Sequence, residues 1–159
     1  MRQTLNGMRK RGSEDRGFTM IELLVVVVII GVLVAIAVPV YLNYRKGAAN
    51  KSAESDVRGA VSAVEQFYTE NGNKYPEETL TENNDGGDAS QLALSDDDDA
   101  QVITLSDKTE LTYTPGAEDG TYLICATNSG GSGKKYLYDS QKGGSVQQAD
   151  DDLAIATCS

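Results

Sequence analysis

The chain has 159 residues, a formal net charge of −10, two cysteines and no histidine. That length allows one modest domain plus a membrane segment. Without histidine no Ser-His or Cys-His pair can form, and two cysteines alone are too few for a zinc site, so an enzyme or a metal fold is not expected.

The charge is uneven. Residues 1–17 carry Arg2, Arg9, Lys10, Arg11 and Arg16 against Glu14 and Asp15, a balance of +3 that leaves −13 for the remainder. An acidic body argues against a nucleic-acid footprint, so no nucleic acid is expected as a partner. A basic flank ahead of an apolar run predicts that residues 1–17 stay cytoplasmic and the body lies outside.

The first element is Gly17-Phe18-Thr19-Met20-Ile21-Glu22, followed by an uninterrupted apolar run from Leu23 to Val38. Glu22 stands at the mouth of that run. A carboxylate near hydrocarbon costs about 2.5–3.5 kcal/mol on insertion scales, although an acid in the first turn of a helix is favoured by the partial positive charge there. A secretory signal would have a shorter apolar stretch and a small-residue cleavage site after it. The run here continues past Val38 without one, which leaves an uncleaved signal-anchor as the plain alternative.

Gly17 through Glu22 and the run behind them resemble the class III signal of type IV pilin precursors, with secretion pseudopilins as nearest relatives. The resemblance is close from Arg16 to about Pro76. It implies that a membrane prepilin peptidase cuts between Gly17 and Phe18, removes residues 1–17 as a leader, and methylates Phe18. It implies also that Glu22 neutralises the N-terminal amine of a neighbouring Phe18 in a helical homo-oligomer. The partners are then the peptidase, an assembly platform and the membrane. The function is that of a pilus subunit in surface roles such as adhesion or motility, membrane-held before assembly and extracellular after it. No cofactor is implied.

Residues 18–42 read as the transmembrane or filament-core helix. Gly31 inside it lowers helix propensity by about 1 kcal/mol relative to alanine and permits close approach of a neighbour. Pro39 removes one backbone hydrogen bond. The resemblance implies that Gly31–Pro39 loosens on assembly, whereas a kinked continuous helix is expected of the isolated subunit. From residue 43 to 71 the pattern is amphipathic. Ala53, Val57, Ala60, Val61, Val64, Phe67 and Tyr68 form an apolar stripe, with Lys51, Glu54, Asp56, Arg58, Glu65 and Glu70 on the other faces. Asn71-Gly72-Asn73 ends the helix. A helix from about Phe18 to Glu70 would be about 80 Å long.

Residues 72–100 read as an acidic connecting loop that Leu80, Leu92 and Leu94 could pin to the domain. Asp85, Asp88, Asp96, Asp97, Asp98 and Asp99 invite a calcium reading, since hard oxygen ligands suit that ion. The spacing does not match an EF-hand, and a solvated, self-repelling loop is the expectation.

Residues 101–159 read as antiparallel strands. Gln101–Ser106 and Glu110–Thr114 suggest a hairpin around Asp107-Lys108. Thr121–Thr127 is the strongest strand, with Tyr122, Ile124 and Ala126 on one face and Leu123 and Cys125 on the other. Lys134–Asp139 follows, Ser145–Gln148 adds a short edge, and Asp150–Thr157 is either a helical turn or a strand. Four strands laid across the amphipathic half of the helix give an α+β fold. An even cysteine count in an exported domain suggests one bridge, Cys125 to Cys158, with two buried free thiols as the alternative.

Overall fold

The computed structural model describes residues 18–86, 90–96 and 100–159. The chain divides into two compact units, Met1–Pro39 and Val40–Ser159, and helix α1, Met20–Glu70, supplies residues to both.

Within the first unit, α1 buries none of its apolar sequence. Every large apolar side chain from Leu23 to Val38 is exposed. The backbone is helical through Gly31 and Pro39, so the single chain shows the continuous form expected of the isolated subunit.

The second unit forms around the amphipathic half of α1. Asn50, Ala53, Asp56, Val57, Ala60, Val64 and Phe67 are buried at three- and four-residue steps, which is the stripe a helix presents to one layer. Full burial of Val57 and Val64 contributes about 1.5–3 kcal/mol each. The helix stops as its sequence requires. Gly72 takes φ +66°, and the Asn73 N–H donates to Tyr68 O at 3.0 Å across the reversed turn, satisfying an orphan carbonyl in the Schellman manner.

Among the described residues seven strands follow: β1 (Leu80–Asn83), β2 (Ser90–Ala93), β3 (Val102–Leu105), β4 (Thr109–Pro115), β5 (Tyr122–Asn128), β6 (Lys135–Asp139) and β7 (Gln147–Gln148). Five make an antiparallel sheet ordered β1-β4-β5-β6-β7, while β2 and β3 pair as a separate ribbon. The α+β class and the strands at β4, β5 and β6 match the sequence reading. Tyr122, Ile124 and Ala126 of β5 face the helix core, whereas Cys125 joins Ile155 and Cys158 in a second cluster on the opposite face, with Leu123 packed against it.

Three readings differ from the structure. The region expected as a loop contains β1 and β2, held in part by the burial of Leu92 and Leu94. The hairpin around Asp107-Lys108 is not formed: β3 pairs with β2, and β4 pairs with β1 and β5. That turn is anchored elsewhere, because Asp56 accepts from the Ser106 N–H at 2.9 Å and the Ser106 hydroxyl at 2.8 Å. Asn84 also donates to Leu105 O, and Asn128 to Asp107 O. Asp56 is therefore buried rather than on a solvent face, its desolvation offset by two charge-assisted bonds. Of the two alternatives for Asp150–Thr157 the structure takes turns rather than a strand, closed by the Leu153 N–H to Asp150 O and the Thr157 N–H to Ala154 O.

Asn50 is a second buried polar residue on the helix. Its side chain donates to the Ser132 hydroxyl at 2.8 Å and accepts the Ser132 N–H at 3.0 Å. Gly131 makes this possible, since a Cβ there would stand 2.2 Å from Asn50 Oδ1. Gly131→Ala is expected to lower stability by about 1–3 kcal/mol, read as a lower melting midpoint, because the amide loses its partner while buried.

Candidate assembly site

The site is the start of α1 and the apolar surface behind it. Thr19 is the N-cap and Glu22 lies at the third helical position. The Thr19 N–H donates to Glu22 Oε2 at 2.9 Å, the Thr19 hydroxyl donates to the same oxygen at 2.8 Å, and the Glu22 N–H donates to Thr19 Oγ1 at 3.3 Å. This is a reciprocal capping box, and the spacing Thr19-x-x-Glu22 was its signal in the sequence. Glu22 thus has a local function within its own chain. Among the described residues no partner is recorded for Glu22 Oε1.

Phe18 precedes the cap and is 87% exposed. A Cβ at Gly31 would meet nothing within 4 Å, so nothing in the single chain requires glycine there beyond what a close neighbour would. Pro39 sits inside the helix. Residues 1–17, Gly17 among them, lie outside the described residues.

The two cysteines are bridged, with Cα atoms 5.6 Å apart and a sequence separation of 33. The bridge ties the C-terminal turns to β5. Lys135 reinforces it by donating through Nζ to Leu153 O at 2.8 Å and to Asp151 O. Of the calcium candidates, Asp88, Asp97, Asp98 and Asp99 lie outside the described residues. Asp85 follows β1 and leads into Gly86, beside the Asp107-Lys108 turn, while Asp96 lines a groove with Phe67 and Pro76 at the helix exit. The structure does not bring those two carboxylates together. Among the described residues no three metal-ligating side chains converge.

A cluster the sequence did not single out lies at the edge of the core, around the exposed Glu65. Glu65 accepts from Tyr122 at 2.6 Å and from Tyr75 at 3.2 Å. Tyr75 stacks on Tyr68 with centroids 4.4 Å apart. Burial, and then the Glu65 charge, push the Tyr75 hydroxyl up to about 12 and raise Tyr122 as well. Both phenols therefore stay protonated donors at neutral pH and pin the helix end to the sheet.

Comparison with known proteins gives these features a context. Residues 13–38 match the prokaryotic N-terminal methylation motif. The chain is 37% identical over 71 residues to type II secretion system core protein G of Pectobacterium carotovorum, spanning 45% of each chain. It is 41% identical over 63 residues to a type IV major pilin protein of Neisseria gonorrhoeae, 40% of this chain and 38% of the relative. The alignments thus span less than half the length of these two relatives. A fimbrial protein of Pseudomonas aeruginosa is 34% identical over 120 residues, 69% of this chain and 73% of the relative. No solved structure gives a significant match. Identity carried through nearly three quarters of that fimbrial protein, on a fold with one long N-terminal helix and an antiparallel sheet, makes this chain a member of the type IV pilin family.

Proposed function

We propose that the protein is a structural subunit of a type IV pilus, lodged in the membrane by the N-terminal half of α1 before assembly and packed against copies of that half afterwards. The exposed apolar run from Leu23 to Val38 carries this reading. Such a surface is unstable in water, and its own unit covers none of it. Lipid or identical helices would cover it equally well, so transfer from one to the other is close to neutral for apolar area.

The remaining parts follow from that exchange. A prepilin peptidase cuts between Gly17 and Phe18 and methylates Phe18, removing the basic segment that would hold the chain to the cytoplasmic face. Glu22 then neutralises the amine of a neighbour's Phe18. The capping box contributes about 0.5–2 kcal/mol, less than the cost of a carboxylate in hydrocarbon, so a cationic partner is needed to close the difference. Gly31–Pro39 is the stretch that loosens as helices crowd together. The acidic body lies outside, and an assembly platform is the remaining partner. The role is structural rather than catalytic.

The match to a secretion core protein keeps a pseudopilin as the second reading. Intact mass separates the two. Filaments sheared from cells are expected to contain a species starting at methylated Phe18 and two hydrogens light for the Cys125–Cys158 bridge. A processed species confined to the membrane would favour the pseudopilin, and an uncut chain in both fractions would sink the family's processing scheme for this protein.

A further inference from the structure

Charge in the second unit is segregated along α1. The turn between β5 and β6 lies level with Asn50, through the two bonds to Ser132. Beside it, Lys51, Lys134, Tyr136 and Gln148 line a cleft of about 350 Å³. Arg58 edges the adjoining cleft, and Val146 is common to both. Glu54 bridges Lys51 and Arg58 at 2.6 Å each. One carboxylate cannot neutralise two cations, and Lys134 is exposed. The patch therefore holds an excess of positive charge in a body that is otherwise strongly acidic.

The other end of the unit has the opposite sign. Glu77, Glu78 and Asp96 rim the groove at the helix exit with Lys74. Glu70 lies beside them, bonded to Gln101 at 2.8 Å. All four carboxylates are on exposed residues. Along the helix, the positions of Lys51 and Glu70 are about 29 Å apart at 1.5 Å per residue. That is several Debye lengths at physiological salt, so the two patches do not serve each other within one chain.

Resting on the pilus reading above, we propose that these patches form a contact between copies: the helix-exit carboxylates of one subunit seat against the basic patch of Lys51, Arg58 and Lys134 of another. Copies drawn from one membrane run parallel. Parallel copies level with each other would set like charge against like, whereas a displacement of about 30 Å along the helix sets acid against base. The partner is thus a second copy of this chain at a defined axial offset.

Zero-length carbodiimide coupling on wild-type sheared filaments, followed by peptide mass spectrometry, tests the contact without a variant. A carboxylate is activated and a lysine Nζ displaces the leaving group, with net loss of one water. The expected products join Lys51 or Lys134 to Glu77, Glu78 or Asp96, spans too long for a single chain. In cells, Lys134→Glu is expected to lower filament yield about tenfold or more, with the membrane pool of oxidised, processed subunit unchanged, and Glu78→Lys in the same chain to restore it. Filaments that give only short-range links such as Lys51–Glu54, or a double reversal no better than the single one, overturn the contact while leaving the pilus reading intact. Wild-type cells that make no filament overturn the pilus reading and the contact with it.

Discussion

Replacing Cys125 and Cys158 together by alanine is expected to destabilise the second unit by about 4 kcal/mol, from the loop-closure entropy of a bridge with a separation of 33. For a domain this size that is on the order of a 10–20 °C drop in melting midpoint. It is a large fraction of ordinary folding stability. Alanine is the informative replacement, since Cys125 is fully buried and serine would add a buried hydroxyl without an assured partner. The loss should be local before it is global. Leu123, Leu137, Leu153 and Ile155 pack around the bridge, and the turns from Asp150 onward have no strand pairing of their own. Hydrogen exchange on the detergent-solubilised full chain should therefore show residues 150–159 opening first, while the α1–β5 core stays protected. Equal loss of protection along β4 and β5 would show that the bridge supports the whole unit rather than its C-terminal turns.

The same elements show what the sequence could disclose. The two faces of β5 were legible because period-two alternation put Tyr122, Ile124 and Ala126 opposite Leu123 and Cys125, and both faces are buried for different reasons. The helix end was legible because Gly72 supplies the left-handed residue a Schellman closure needs. Strands β1 and β2 were not. At four residues each, and set among acids, they show too few alternations to rise above a loop. Asp56 and Asn50 were misplaced or missed for a related reason. A charged or amide side chain on a helix reads as solvent-facing until its partner is known, and Ser106 and Ser132 lie 50 and 82 residues away. The failed hairpin was not legible either: the Asp107-Lys108 turn does close, through the Thr109 N–H to Ser106 O at 3.1 Å, but β3 and β4 leave it into different sheets. At the assembly site, Glu22 was legible in position but not in its local bonding. Its bonding depends on Thr19, whose N–H and hydroxyl make it a capping residue.

The proposed pairing makes Glu22 the position where substitution should have the largest effect on assembly, and two variants separate it from the capping role. Glu22→Ala removes both the cap and the charge. Glu22→Gln keeps the capping geometry, since glutamine serves at that position of a capping box, and removes the charge alone. If pairing with a neighbour's N-terminal amine is what the filament requires, both variants leave that amine in an apolar core without its counter-charge. The cost is about 3–5 kcal/mol per subunit, a loss of more than about 100-fold in association. Sheared filament should then fall below detection in both, while cleaved subunit accumulates in the membrane, because neither variant makes the helix less apolar. If capping alone matters, Glu22→Gln should assemble like the wild type and Glu22→Ala should be only mildly impaired, since fraying one helix start costs about 0.5–2 kcal/mol. Filament yield measured against membrane-bound processed subunit for the pair of variants therefore decides whether Glu22 acts on its own helix or on the next one, and a glutamine variant that assembles normally would remove the charge pairing from the assembly scheme.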